Sequence, residues 1–311
     1  MRIWFVRLVG ALLVLALGIA IGAGPLQKSS ERRSAELAAQ KRQVALKEQQ
    51  IASLEASGKY ASAYAAATAS ALVSNALKGR SVAVIALPGA DPASVAGVGN
   101  LIKAAGGTVS GSVSFKPLMG RASSRQLVEA LTSQMATQNP DLVFPANAGG
   151  YQRFGVLLAR AVGLPRAAGK PTAPYDEVAV GIISGLQTAG LLTAGEISTR
   201  AALTVVVTGP AAASADAAGE NAVPTTILGA YATRGPVVVA GPSDAAGPFG
   251  IIGALRKGGS VADLSTVDTV EAVSGQVTTV LALAALARGT TGSWGGVGAT
   301  DGSIPPLPSS H

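Results

Sequence analysis

Twenty consecutive residues without a charge separate Arg7 from Lys28 near the start of the chain. As an α-helix rising about 1.5 Å per residue, such a run spans roughly the 30 Å hydrocarbon core of a bilayer. The apolar part of a secretory signal is shorter, about 7 to 15 residues. We therefore predict a retained transmembrane anchor over 1–27, with Arg2 and Arg7 favouring a cytoplasmic N-terminus. Small residues over 20–24 leave a cleaved signal peptide as the alternative.

The segment after this run predicts one long helix. Residues 29–57 contain neither Gly nor Pro and are rich in Ala, Gln, Glu, Lys and Arg, a composition that favours helix. Four apolar residues form a narrow seam at heptad spacing: Leu37, Val44, Ile51 and Leu54. Gln40 and Lys47 occupy the second core position of the earlier heptads, which is typical of a short, weak coiled coil. We predict a stalk over 28–58 whose seam binds a second copy or another protein. The alternative is a solvated helix lying on the folded domain.

Charge is concentrated at the N-terminal end of the chain. The whole chain carries 24 basic and 17 acidic residues, and 9 of the basic but only 4 of the acidic ones fall within residues 1–60. Positive charge beside an apolar run suits an anionic membrane surface. The nearly neutral remainder has few aromatics and no basic stripe, so nucleic-acid binding is not expected. The absence of cysteine excludes disulfides and thiolate chemistry.

Residues 59–290 alternate short apolar runs with helical segments. Four runs read as strands buried on both faces: 81–87, 108–115, 202–209 and 236–241. Asp91 and Pro92 form a typical helix start between the first two, and residues 273–289 predict a buried helix that ends at Gly289. The expected fold is a three-layer, Rossmann-like α/β domain with a largely parallel sheet, preceded by the transmembrane and coiled-coil helices. Residues 291–311 are expected to form a flexible tail.

The loops of this domain lack a catalytic signature. None of the expected strand-to-helix loops contains GxGxxG or GxxxxGK[ST], so dinucleotide and P-loop sites are not predicted. Ser243 and Asp244 lie in one such loop, but a serine nucleophile needs a base and the only histidine is the terminal His311. Three acidic residues near the C-terminus could bind a hard cation weakly, or could be solvated or capping: Asp263, Asp268 and Glu271. We assign no catalytic, cofactor-binding or metal-binding residue.

Several stretches resemble a known family. They are "NALKGRSVAVI", "AAGGTVSGSVS", "GLQTAGLLT", "LTVVVTG" and above all "LSTVDTVEAVSGQVTTVLALAALARG". Together with the apolar run and the heptad helix, they resemble the actinobacterial copper transport protein B family, MctB, which includes the SteB-type envelope proteins. The resemblance implies copper export or homeostasis at the envelope, and pore formation. Its SteB branch implies a membrane-anchored coiled-coil partner that helps control peptidoglycan hydrolysis during cell separation.

The residues themselves argue against direct handling of copper. Copper sites are built from Cys, Met and His. This chain has no cysteine, one histidine at its end, and only Met119 and Met135 beyond the initiator. Copper is therefore implied as a ligand by the family name alone.

These observations predict a non-enzymatic, single-pass protein of the cell membrane whose C-terminal domain is extracytoplasmic. Its partners are expected to be the membrane, a second copy bound through the coiled coil, and a cell-wall hydrolase or a cytoplasmic membrane protein. Copper transport, efflux or pore formation is the alternative. A third alternative is an enzyme or small-ligand binder that uses the loops around Asp91 and Asp244.

Overall fold

The computed structural model describes the backbone of residues 2–166, 169–212, 217–259 and 263–307. Side chains are described from residue 36 onward within these ranges, apart from residues 217 and 218. The chain divides into two compact units, Met1–Ala61 and Ser62–His311.

The first unit is formed by helix α1 (Arg2–Val73), whose last turns belong to the second unit. Every side chain over residues 36–64 is exposed. The anchor predicted over 1–27 lies outside the residues whose side chains are described. Among those that are described, no helix combines the length and the apolar character needed to cross a membrane.

The second unit contains a seven-stranded sheet with the order β4-β2-β1-β6-β7-β8-β9. The strands of the unit are β1 (Ser81–Ala86), β2 (Thr108–Phe115), β3 (Thr172–Pro174), β4 (Leu192–Ala194), β5 (Thr199–Ala201), β6 (Leu203–Val207), β7 (Val237–Ala240), β8 (Leu264–Val267) and β9 (Ser293–Trp294). All neighbouring pairs in the large sheet are parallel except the edge pair β2–β4. β3 and β5 form a separate antiparallel pair.

Helices cover both faces of this sheet. They are α2 (Pro92–Ala104), α3 (Arg125–Gln138), α4 (Gly150–Val162), α5 (Glu177–Thr188), α6 (Ala217–Ala232), α7 (Ile251–Lys257) and α8 (Val273–Ala287). The end of α1 packs with α2 and α8 against one face, and α3 to α7 supply the core on the other. The prediction of an α/β domain with a largely parallel sheet is confirmed, and the arrangement is consistent with a Rossmann-like fold.

Local sequence explains why these elements form where they do. The central strands β1, β6 and β7 are buried along almost their whole length because helices cover both faces, so their side chains are apolar except for Ser81 and Thr204. Asp91 caps α2 as predicted, since its carboxylate accepts the backbone N–H groups of Ala93 and Ser94. The predicted buried helix is α8, in which every residue from Gly275 to Leu286 is buried.

The C-terminal part of the chain differs from its expected form. A flexible tail is expected over 291–311, but Ser293 and Trp294 form β9 and extend the sheet beside β8. Trp294 is buried in the core formed with α8. The Gly- and Ser-rich composition that suggests flexibility is outweighed here by burial of a large aromatic ring and by the pairing with β8. The predicted domain boundaries at residues 27, 58 and 290 stay predictions.

Candidate functional site

The strand order reverses between β1 and β6. From β1 the chain moves to β2 on one side, and from β6 it moves to β7 on the other. In doubly wound folds ligands bind at such a point, beyond the carboxyl ends of the strands. A cleft of about 380 Å³ lies there, between the loops that follow the two strands and the first turns of α6. Its size is within the range of small-molecule pockets.

The walls of this cleft are mostly apolar. Five large hydrophobic residues line it: Leu87, Phe115, Met119, Ile227 and Ile251. Of its polar residues, Asn221 already donates its amide to the carbonyl of Phe249 at 2.9 Å. A Cβ atom on Gly209 would lie 2.8 Å from the carbonyl oxygen of Pro88, so the two loops approach backbone to backbone. Glycine at position 209 thus permits the close packing of the two loops.

The loop residues considered for small-ligand chemistry have other roles. The Asp91 carboxylate accepts hydrogen bonds from the hydroxyl and N–H of Ser94, which lower its pKa. Ser243 donates its backbone N–H, at 3.2 Å, and its hydroxyl to Glu271. Neither Asp91 nor Asp244 belongs to the described walls of the cleft at the sheet edge. The side chains of Asp91 and Asp244 therefore do not contribute to this cleft.

The three C-terminal carboxylates are also held apart by different partners. Asp263 pairs with Arg166, whose Nε lies 2.6 Å from Oδ1. Asp268 pairs with Arg256, and Glu271 accepts from Ser243 as described. Within the part of the chain that the structure describes, no group of three or more His, Asp or Glu residues could hold a metal ion.

The block over residues 264–289, which most resembles the family, contributes Asp268 to a buried ion pair whose other member, Arg256, precedes the block. This pair is not predicted by the sequence analysis. Asp268 is fully buried, and its Oδ2 lies 3.1 Å from Nη1 of Arg256. The carboxylate also accepts the backbone N–H groups of Gly296, at 2.6 Å, and Val297, at 3.2 Å. Arg256 completes the cluster by donating to the carbonyl of Trp294 at 3.0 Å. Asp268 and Arg256 thus fix the last strand to the sheet, which is a structural role.

Both internal methionines are part of the core. Met119 and Met135 are almost completely buried, with exposed fractions of 2% and 6%, and belong to the cluster on the α3–α7 face. Met119 borders the apolar cleft without a described histidine or second sulfur beside it. Two buried methionines in an apolar environment serve packing better than copper coordination.

The four residues of the predicted seam are all exposed to solvent. The exposed fractions are 57% for Leu37, 55% for Val44, 55% for Ile51 and 71% for Leu54. All four lie on one continuous helix. A narrow apolar stripe exposed at heptad spacing is the surface by which helices pair.

The fold and these surfaces define an α/β protein with a long exposed helix and, among its described residues, no metal-binding cluster. The family model described as "Copper transport outer membrane protein, MctB" matches residues 1–306. The chain belongs to this family, which confirms the resemblance seen in its motifs. It is 28% identical over 303 residues to proteins named "Copper transporter MctB" from Mycobacterium bovis and Mycobacterium tuberculosis. The alignment covers 91% of this chain and 91% of each relative.

Proposed function

We propose that this protein is a non-enzymatic, single-pass envelope protein that binds other protein chains through the seam of α1. The anchor over 1–27 holds the helix at the membrane, and the α/β domain is extracytoplasmic. In this proposal it acts as a SteB-like scaffold that positions a cell-wall hydrolase during cell separation. The exposed seam on α1 is the observation that carries the proposal.

Helix physics supports a partner for this surface. A solitary helix gains most of its stability from packing its apolar face against another element. Residues 36–64 are exposed throughout, so a second chain is able to supply that packing. Burying a Val, Leu or Ile side chain contributes about 1.5–3 kcal/mol, so a few seam residues supply substantial association energy.

A second copy of the same chain fits the seam best. In a parallel pair, β-branched residues such as Val44 and Ile51 at the first core position favour two strands. The flanking position Glu36 then faces Lys41 of the other chain, an opposite-charge pair. Gln40 and Lys47 at the second core position weaken the pair. A weak homodimer of this kind leaves the helix able to exchange its copy for another partner.

Several observations support placement at the envelope. The run between Arg7 and Lys28 has the length of a membrane span. The family description names an outer membrane protein, which supports an association with the envelope.

The decisive experiment uses the full chain in membranes of intact cells. The double variant Val44→Glu with Ile51→Glu places charge in the seam and should abolish crosslinked dimers and larger adducts. Leu46→Glu is the matched control, because Leu46 is equally exposed, at 60%, but lies off the seam. It should crosslink like the wild type, and all variants should retain the circular dichroism of the α/β domain. Undiminished crosslinking of the double variant would contradict the proposal.

Copper transport or pore formation is the second candidate function, favoured by the names of the relatives. It predicts copper sensitivity of a deletion strain and ion conductance of the purified protein in bilayers. Because Met119 and Met135 are buried, it also requires that copper be conducted or exported without a tight site formed by these two methionines. Conductance that survives the double seam substitution would favour this candidate over the scaffold.

A further inference from the structure

A second cleft lies at the opposite, amino-terminal edge of the sheet. It occupies about 200 Å³ between the end of α4, strand β5 and the segment that follows α6. Three arginines line it: Arg160, Arg200 and Arg234. Apolar side chains complete its walls: Leu142, Val143, Val156 and Ala159. Its volume corresponds to about seven waters at roughly 30 Å³ each, which is room for a small molecule.

The arginines are only partly satisfied by protein groups. Arg160 Nη2 lies 2.9 Å from Oδ2 of Asp176, and Arg200 Nη2 lies 3.6 Å from the same oxygen. Arg234 donates through Nη2 to the carbonyl of Val143. Nη1 of Arg160 and Nε of Arg234 are buried and, within the described residues, have no hydrogen-bond acceptor. Buried donors of native proteins normally have a partner, so these two call for an explanation.

Positive charge exceeds negative charge around this cleft. Three arginines face two carboxylates, Asp176 and the exposed Asp141. Burial lowers the pKa of Arg200, and the nearby charge of Arg160 lowers it further. Asp176 opposes this shift and offsets part of the repulsion between the arginines, and a further anion in the cleft would offset more of it.

The favourable position of a cation at the end of a helix explains only part of this grouping of three arginines. Arg160 is in the last turn of α4, where cations are favoured by the helix dipole, and Arg200 donates to the Arg160 carbonyl at 3.5 Å. Neither contact gives an acceptor to Nη1 of Arg160 or to Nε of Arg234, so both donors still lack one within the described residues.

We propose that this cleft binds a small organic anion, with its carboxylate or phosphate group between the three arginines and its apolar part against Val143 and Val156. Guanidinium groups suit this chemistry, because their planar donors match the oxygens of carboxylate and phosphate in pairs. The site is separate from the seam of α1 and does not depend on the proposed scaffold function.

The test measures binding to the full-length protein by isothermal titration calorimetry and by the shift in melting temperature. Butyrate and inorganic phosphate are the anionic probes, and butyramide is the neutral control of the same shape as butyrate. We expect both anions to bind and butyramide not to bind. Equal effects of butyrate and butyramide, or no binding of either anion at millimolar concentration, would overturn the proposal.

Two variants locate the binding. Arg234→Gln should weaken butyrate binding at least tenfold, and Arg234→Lys should weaken it less because the charge is kept. Arg121→Gln removes an exposed arginine that lines the other cleft and should leave binding unchanged. Equal weakening by Arg121→Gln and Arg234→Gln would show nonspecific charge attraction and refute the site. Arg160→Gln is informative only together with a folding check, since it also breaks the pair with Asp176.

Discussion

Asp268 shows how a single buried charge organises the end of the chain. Its carboxylate is held by Arg256 and by the backbone N–H groups of Gly296 and Val297. A Cβ atom on Gly295, whose φ is +134°, would collide with the carboxyl group. Glycine is therefore required there both by the backbone conformation and by the close approach. The cluster ties the strand that contains Trp294 to its neighbour.

Replacing this carboxylate should be costly. Asp268→Asn leaves the guanidinium of Arg256, whose side chain is 9% exposed, without its counter-charge. Loss of one partner of a buried ion pair typically costs about 3–5 kcal/mol. We expect a fall of that size in the free energy of unfolding, measured by urea denaturation. Asp244→Asn changes an exposed residue and should alter it by less than about 0.5 kcal/mol. A loss no larger than that of the control would mean that the pair contributes little.

At the scale of elements, the contact between α4 and α6 depends on a glycine. A Cβ on Gly155 would overlap the backbone carbonyl of Ile227 and lie 2.9 Å from the Cβ of Ala230. The backbone carbonyl of Ile227 cannot move away by changing a rotamer, as a side chain could. The helices α4 and α6 must therefore separate if Gly155 gains a methyl group.

Two glycine-to-alanine substitutions test this packing. Gly155→Ala should destabilise the protein by about 1–3 kcal/mol, the usual cost of overpacking. Gly181→Ala lies on the exposed face of α5 with no atom near the added methyl, and should stabilise by up to about 1 kcal/mol through helix propensity. Thermal unfolding of both variants provides the comparison. The same sign for both changes would show that propensity, and not the helix contact, decides the outcome at Gly155.

The elements differ in how well the sequence predicts them. Runs rich in apolar residues identify β1, β6 and β7, because strands buried on both faces favour apolar side chains. β2 is expected to be buried on both faces as well, but it is exposed at Thr108, Ser112 and Ser114. β8 is not predicted by an apolar run, because two of its four residues, Ser265 and Thr266, are polar although they are buried. Thr266 accepts a hydrogen bond from Arg256 at 3.0 Å, a partner that no local pattern reveals. β9 has only two residues, and it forms a strand because it pairs with β8.

The candidate sites show the same limit. The seam of α1 can be predicted from the sequence, because the spacing of apolar residues along one helix is a local pattern. The arginine cleft is not, since Arg160, Arg200 and Arg234 come from different elements and meet only through the topology of the sheet. No spacing rule links them, and each alone is an ordinary basic residue.

At the scale of the whole molecule, folding and association are expected to depend on different parts of the chain. Both cores of the second unit are formed by residues from Ala69 onward. The seam residues all lie in the first unit, Met1–Ala61, and are exposed. Removing the first unit therefore removes the proposed association surface without removing any core side chain.

A chain limited to residues 60–311 tests this separation. It retains every residue of both buried clusters, including Ala69 and Val73 of the remaining helix, so it should unfold cooperatively at nearly the melting temperature of the full chain. Because it lacks Val44 and Ile51, it should sediment as a monomer where the full chain in detergent forms dimers. Sedimentation velocity and calorimetry measure the two properties independently. A truncated chain that still dimerises would place the association surface on the α/β domain, and one that fails to fold would show that the first unit contributes to the stability of the second.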